Sequence, residues 1–188
     1  LVVQADFKVQ MCDCCGTSGA VTADGPVIVY RDRSGDEVRD ISVLRRVGGK
    51  WTSPRPVSSD GWSIPGCPVN GPSVAARGRS LAVAWYTYAK SQPHIRVAFS
   101  KDSGATFGDV IEVDASRGSS VPIGRVGVVL DDDGTALVSW IATKREDAEL
   151  FVRRVAADGK LGEAVSAGTS TSARQSGFPR LARDGRDV

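Results

Sequence analysis

The chain has 188 residues, 41% of them hydrophobic, and a formal net charge of +2, which is ample apolar material for a core. The small charge, with no basic run carrying interleaved aromatics, gives no support to binding of nucleic acid or of an anionic membrane surface. No segment approaches the roughly 20 apolar residues of a membrane-spanning helix, no Ser-His-Asp set, phosphate loop or metal-hydrolase motif is present, and 21 glycines with 6% aromatics fit a turn-rich, all-β chain.

In chain order, the first clear element is Val27-Ile28-Val29-Tyr30, a β-branched run behind the turn signal Asp24-Gly25. A second strand is predicted over residues 40–47, then the turn Val47-Gly48-Gly49-Lys50-Trp51 and a strand over 51–57. The pattern restarts at Gly78-Arg79 with Leu81-Ala82-Val83-Ala84-Trp85, followed by strands over 95–100 and 107–113. It restarts again at Asp133-Gly134 with Ala136-Leu137-Val138-Ser139-Trp140, followed by strands over 150–155 and 161–165, with a turn at Ala157-Asp158-Gly159-Lys160-Leu161 between them. The closing aromatics stand at 30, 85 and 140, a constant spacing of 55 residues, and such a period marks repeated supersecondary units.

With an inner strand before each aromatic segment, every unit has four strands. The units run over approximately 12–66, 67–121 and 122–176, and a fourth begins at 177–188 with Phe178-Pro179-Arg180-Leu181 and the turn Asp184-Gly185. Residues 144–157 are rich in helix formers and also fit an amphipathic helix. The repeat register places a strand over 150–155, and register outweighs local propensity.

Residues 100–107, Ser100-Lys101-Asp102-Ser103-Gly104-Ala105-Thr106-Phe107, join two strand-like segments. The Asp and Ser side chains suit hydrogen bonding to nearby backbone N–H groups, Gly104 suits a positive φ, and Phe107 suits packing back over the hairpin. Ser-x-Asp-x-Gly-x-Thr-aromatic is also the Asp-box, and with the repeat the chain resembles the sialidase-like (BNR, Asp-box) β-propellers. The resemblance implies an all-β fold of four-stranded antiparallel blades. About three and a half blades are present, and six complete the ring. It makes residues 1–188 a single incomplete propeller domain, either a fragment of a longer protein or one completed by a partner chain, since an open ring leaves sheet edges exposed.

Met11-Cys12-Asp13-Cys14-Cys15 holds three of the four cysteines, and the fourth, Cys67, stands 55 residues after Cys12. In a propeller that shared position starts the innermost strand at the channel mouth. Two readings follow: a disulfide from Cys67 to Cys12 or Cys14, or a site of Cys12, Cys14, Cys15 and Cys67 for a soft ion such as Cu or for Zn, or for thiol redox chemistry. His94, the single histidine, carries no assigned role.

Sialidases of this fold use an arginine triad, a Tyr–Glu nucleophile pair and an Asp acid/base, types that suit an acid sugar flanked by two groups of opposite role. The resemblance places the Cys-rich stretch where the first triad Arg belongs, and makes Asp36, with Asp40 second, the match to the acid/base. Arg125 and Arg180 fall at inner-strand starts and suit anion binding. The resulting expectation is a secreted or periplasmic propeller with a non-hydrolytic ligand-binding or interaction role toward carbohydrate or protein. The alternatives are an exo-acting glycoside hydrolase of sialidase type and a metal-binding or redox propeller built on the cysteine cluster.

Overall fold

The computed structural model describes residues 10–115, 120–144, 147–173 and 177–184. Three antiparallel sheets follow one another along the chain. The first contains β1 (Ser18–Thr22), β2 (Gly25–Arg31), β3 (Ile41–Val47), the two-residue β4 (Lys50–Trp51) and β5 (Arg55–Ser58), with β4 and β5 both paired to β3. The second is the meander β6 (Ser73–Arg77), β7 (Ser80–Thr87), β8 (His94–Ser100) and β9 (Ile111–Ala115). The third is β10 (Ser120–Leu130), β11 (Ala136–Lys144), β12 (Asp147–Val155) and β13 (Val165–Ser170). Among the described residues there is no α-helix, and no helix is long and apolar enough to cross a membrane.

The continuous apolar runs are explained by burial on both faces. Side chains alternate along a strand, so Leu81, Val83 and Trp85 of β7 pack with Val27, Val29, Ile41 and Val43 of the first sheet. Ala82 and Ala84, pointing the other way, pack with Val128, Leu130, Val138 and Trp140 of the third. The middle sheet is thus sandwiched, and its neighbours are joined through it. Tyr30, Trp85 and Trp140 hold matching places on β2, β7 and β11, each at most 1% exposed. The leading strands also meet: β1 lies against β6 and β6 against β10. The contact repeats in detail, because Val74 N–H donates to Ser18 Oγ and Val128 N–H to Ser73 Oγ, both at 3.2 Å.

The predicted elements need several corrections. The stretch 51–57 is not one strand but β4 and β5, split around Pro54, which has no N–H to give a ladder. The segment 107–113 becomes a strand only from Ile111, because the preceding residues complete the turn. The segment 161–165 carries a single bridge, Val155 to Leu161, and the pairing strand β13 starts at Val165. The cysteines do not start inner strands: they lie in the loops before β1 and β6, which begin at Ser18 and Ser73. Within 144–157 the described residues form strand up to Val155, and residues 145 and 146 lie outside them, as does Gly185 of the fourth unit's turn.

Because each sheet runs first strand away and second strand back, the links fall into two groups. The tight turns at Asp24-Gly25, Gly48-Gly49, Gly78-Arg79, Asp133-Gly134 and Asp158-Gly159, with residues 100–107, lie at one end. The segments 10–17, 32–40, 60–72 and 88–93 lie at the other, beside the first half of β10, where Arg125 sits inside the strand and not at its start as the repeat predicts, so nearly every candidate residue is gathered at one end of the sheets.

Candidate functional site at the loop end of the sheets

The centre of this end is Arg31, the last residue of β2, which is 1% exposed. Its guanidinium donates to three carbonyls: Nε to Asn70 O at 2.7 Å, one terminal nitrogen to Arg39 O at 2.5 Å, and the other to Tyr86 O at 2.6 Å. It also lies 4.9 Å above the Trp62 ring. Burial drives its pKa down to about 10, while Cys15, Cys12, Asp60 and Asp40 pull in the opposite direction. One side chain therefore ties the first sheet, the 60–72 link and the second sheet. Sequence reasoning missed it, although Tyr86 stands one repeat later, because a 55-residue period identifies equivalent positions and not the bonds between them.

The cysteine loop abuts this arginine. Cys12 N–H donates to Arg31 O at 3.0 Å, and Cys15 N–H to Cys12 O at 3.2 Å, so the four residues form a turn beside the end of β2. Cys14 and Cys67 form a disulfide, one of the two pairings expected from the sequence. Cys12 and Cys15 are buried free thiols with their Sγ atoms 2.7 Å apart, and Cys12 Sγ is 3.5 Å from Cys14 Sγ. Burial, reinforced by the Cys12 hydrogen bond and charge, pushes the Cys15 thiol up to about 12, against opposing pulls from Arg31 and the Asn70 N–H. The sulfurs of Cys12, Cys14 and Cys15 lie within 4.8 Å of one another, a spacing open to a soft metal only when Cys14 is released from its bridge.

Asn70 stands one repeat after Cys15 and one before Arg125, and it links the second and third sheets: Oδ1 accepts Arg125 N–H at 3.0 Å and Nδ2 donates to Ile123 O at 3.1 Å. Asn70, Ile123, Arg125 and Phe178 line a small cavity of about 170 Å³. Arg125 does not present its charge outward. Its guanidinium donates to Ala173 O at 2.6 Å, reaches the carbonyls of Thr171 and Ser172 at 3.5 Å, and lies 5.6 Å from the Phe178 ring centre. Arg180 is exposed, outside this cavity lining.

The two candidate acids differ sharply. Asp36 sits on an exposed turn, where its N–H donates to Ser34 Oγ and its carbonyl accepts from Ser63 Oγ. Asp40 is half-buried and accepts from the N–H groups of Gly61 and Trp62, with burial raising its pKa against those hydrogen bonds. Asp40 also lines a cleft of about 540 Å³ with Tyr30, Asp32 and Ser42. Ser42 Oγ donates to Asp32 Oδ2 at 2.9 Å, and burial, with the Asp32 charge, pushes Tyr30 up to about 12. Asp32, unassigned from the sequence, thus shares a cleft with Asp40, and Asp36 does not line it.

His94 lies at the start of β8 with Nδ1 2.7 Å from Glu112 Oε2, a close contact that is not aligned as a hydrogen bond. At the opposite end of the sheets, Ser100 Oγ accepts from Gly104 N–H at 2.8 Å and donates to Asp102 Oδ1 at 2.7 Å, while Asp102 accepts from the Thr106 N–H and hydroxyl. Gly104 takes φ 81°, and a Cβ placed there would meet Phe107 Cζ at 3.8 Å, so the ring lies over the turn.

No family model matches the chain, and no curated protein matches its sequence. Solved structures with a similar fold include a Hadza microbial sialidase, at 19% identity and TM-score 0.54, over 82% of this chain and 37% of that one. They also include an exo-beta-1,3-galactanase from Clostridium thermocellum, at 14% identity and TM-score 0.53, over 93% of this chain and 46% of that one. The chain therefore spans less than half the length of either, and the likeness is one of fold.

Proposed function

We propose that this chain is part of a sialidase-like β-propeller that binds a carbohydrate without hydrolysing it. The three sheets are its blades, and the 100–107 hairpin is an Asp-box. Support for the propeller comes from the lateral contacts of β1, β6 and β10, whose Ser–Val bonds repeat from sheet to sheet. Further blades, in this chain's longer parent or in a partner, cover the free face of the third sheet, whose last strand β13 is largely exposed. The disulfide supports export to an oxidising compartment.

The observation that carries the non-hydrolytic reading is where the charges at the loop end go. Arg31 and Arg125 give their guanidinium protons to backbone carbonyls, and Asp40 accepts from backbone N–H groups. Sialidase-type hydrolysis needs guanidinium groups free to clamp the acid sugar and an Asp acid/base set across the bond from a Tyr–Glu nucleophile pair, whereas these groups hold loops in place around a cavity. The competing reading, an exo-acting hydrolase, is favoured by one observation: the raised Asp40 in a cleft with Tyr30 and Asp32.

Titration calorimetry of the full-length protein with sialyllactose and with β-1,3-galactobiose, alongside fluorogenic sialoside and galactoside assays, separates the two. Binding without turnover supports the proposal. Turnover that is lost in Asp40→Asn or Asp36→Ala overturns it.

A further inference from the structure

We propose that Cys12 and Cys15 are a redox-active pair that closes into a second disulfide beside Cys14–Cys67, giving the loop end a two-bridge sulfur centre. The two Sγ atoms lie side by side, 2.7 Å apart, on residues three apart in one turn, so only a small movement separates them from a bond. A shared metal fits less well, since a closed thiolate site takes four ligands and Cys14 and Cys67 are taken up by their own bridge, which leaves two. A disulfide bond of about 2.05 Å is the nearest stable arrangement.

The backbone already suits that bond. The hydrogen bond from Cys15 N–H to Cys12 O makes the segment a tight turn, and the bond from Cys12 N–H to Arg31 O anchors it to β2. The 60–72 link closes over it, because Gly71 packs so tightly on Gly16 that a Cβ there would lie 1.8 Å from the Gly16 carbonyl oxygen. The two thiols are held together by their surroundings whether or not they are bonded.

Closure proceeds by thiol–disulfide exchange with a small-molecule disulfide. Cys12, deprotonated, attacks a sulfur of that disulfide, forms a mixed disulfide and releases a small thiolate. The Cys15 thiol, held protonated by burial, gives up its proton as it attacks the mixed disulfide, forms the Cys12–Cys15 bond and releases the other small thiolate. The two protons end on the two released thiols, and the protein pair is oxidised by two electrons. Cys14–Cys67 spans 53 residues and joins the loops of two sheets, whereas Cys12–Cys15 closes a single turn. The short bridge therefore opens and closes with the fold intact.

The test uses the full-length protein equilibrated with oxidised glutathione, alkylated in denaturant without reduction, and cut before Asp13 so that Cys12 separates from Cys14 and Cys15. The expected result is no alkylated cysteine and a mass four hydrogens below the reduced protein, with Cys12 linked to Cys15 and Cys14 to Cys67. Graded dithiothreitol should then release the Cys12–Cys15 thiols first, at unchanged far-UV circular dichroism. Cys15→Ser should leave Cys12 as the single alkylated residue and Cys14–Cys67 in place. Two alkylated thiols after glutathione treatment, a Cys12–Cys14 or Cys12–Cys67 link in the unsubstituted protein, or a native mass carrying a metal lost on Cys12→Ser would each overturn the proposal.

Discussion

The indole N–H of Trp140 donates to Asp114 Oδ2 at 2.8 Å, and one repeat earlier that of Trp85 donates to Asp60 Oδ2 at 2.7 Å. In both cases the tryptophan lies on the second strand of one sheet and the carboxylate lies in or just beyond the last strand of the sheet before it. The fold has used the same latch twice to join successive sheets. Asp60 also receives Arg96 at 2.6 Å and Ser58 at 2.8 Å, and its side chain is 5% exposed.

Asp60→Ala is therefore expected to leave a buried indole N–H and a half-buried guanidinium without their acceptor, costing about 3 kcal/mol. Trp85→Phe removes one hydrogen bond and some apolar area and should cost less, about 2 kcal/mol. Urea denaturation of both variants checks the order, and an equal loss in the two would mean that Arg96 and Ser58 add nothing to Asp60 beyond its bond from Trp85.

The latch shows what the sequence made legible. The 55-residue spacing of Tyr30, Trp85 and Trp140 and the apolar runs around them placed the buried second strand of every sheet, because burial on both faces leaves a compositional trace. The acceptors Asp60 and Asp114 left none, since an aspartate at a strand end reads the same whether solvated or latched. Arg31 was hidden for the same reason: its partners are backbone carbonyls, which any residue supplies. The cysteine spacing located the disulfide region correctly but not its place in the fold, since loops and inner strands share one repeat position until pairing is known.

Gly71 tests the packing of the loop end directly. A Cβ on this residue would fall 1.8 Å from the Gly16 carbonyl oxygen and 2.7 Å from its carbon, which is backbone and cannot rotate away. Gly71→Ala should destabilise by about 3 kcal/mol or more. Gly48→Ala is the control: at φ 57° with nothing within 4 Å of the added carbon, it meets only backbone strain of about 1 kcal/mol. Thermal unfolding of the two variants should separate them by several degrees.

Asp102 makes the 100–107 turn sensitive to acid. Burial alone would raise its pKa, but hydrogen bonds from the Thr106 side chain and backbone, from Ser100 and from the Ala105 N–H outweigh it and hold the carboxyl at about 2. The unfolded value is about 3.9, so the folded state favours the carboxylate. Its stabilisation is complete above pH 4 and is lost as pH falls toward 2. Because the group is largely solvated, the effect is no more than about 1 kcal/mol. The gap in urea midpoint between the unsubstituted protein and Asp102→Asn should be present at pH 6 and shrink by pH 2.5. A gap constant across that range would show that the carboxylate charge contributes nothing.

Arg31 gives the sharpest test of how the loop end is held. Its three carbonyl partners, on Arg39, Asn70 and Tyr86, diverge in a way that one planar guanidinium reaches and one ammonium does not. Arg31→Lys therefore keeps the charge and loses most of the geometry, and should cost about as much as Arg31→Met, roughly 3 kcal/mol, with carbonyls left unsatisfied in both. The guanidinium also stacks on Trp62, so near-ultraviolet circular dichroism should change in both variants while the far-ultraviolet spectrum stays β-like. If Lys restored full stability, a buried positive charge beside the cysteine loop would be the requirement. If only Arg does, the requirement is the three-way fork that ties β2 to the 60–72 link and to the second sheet.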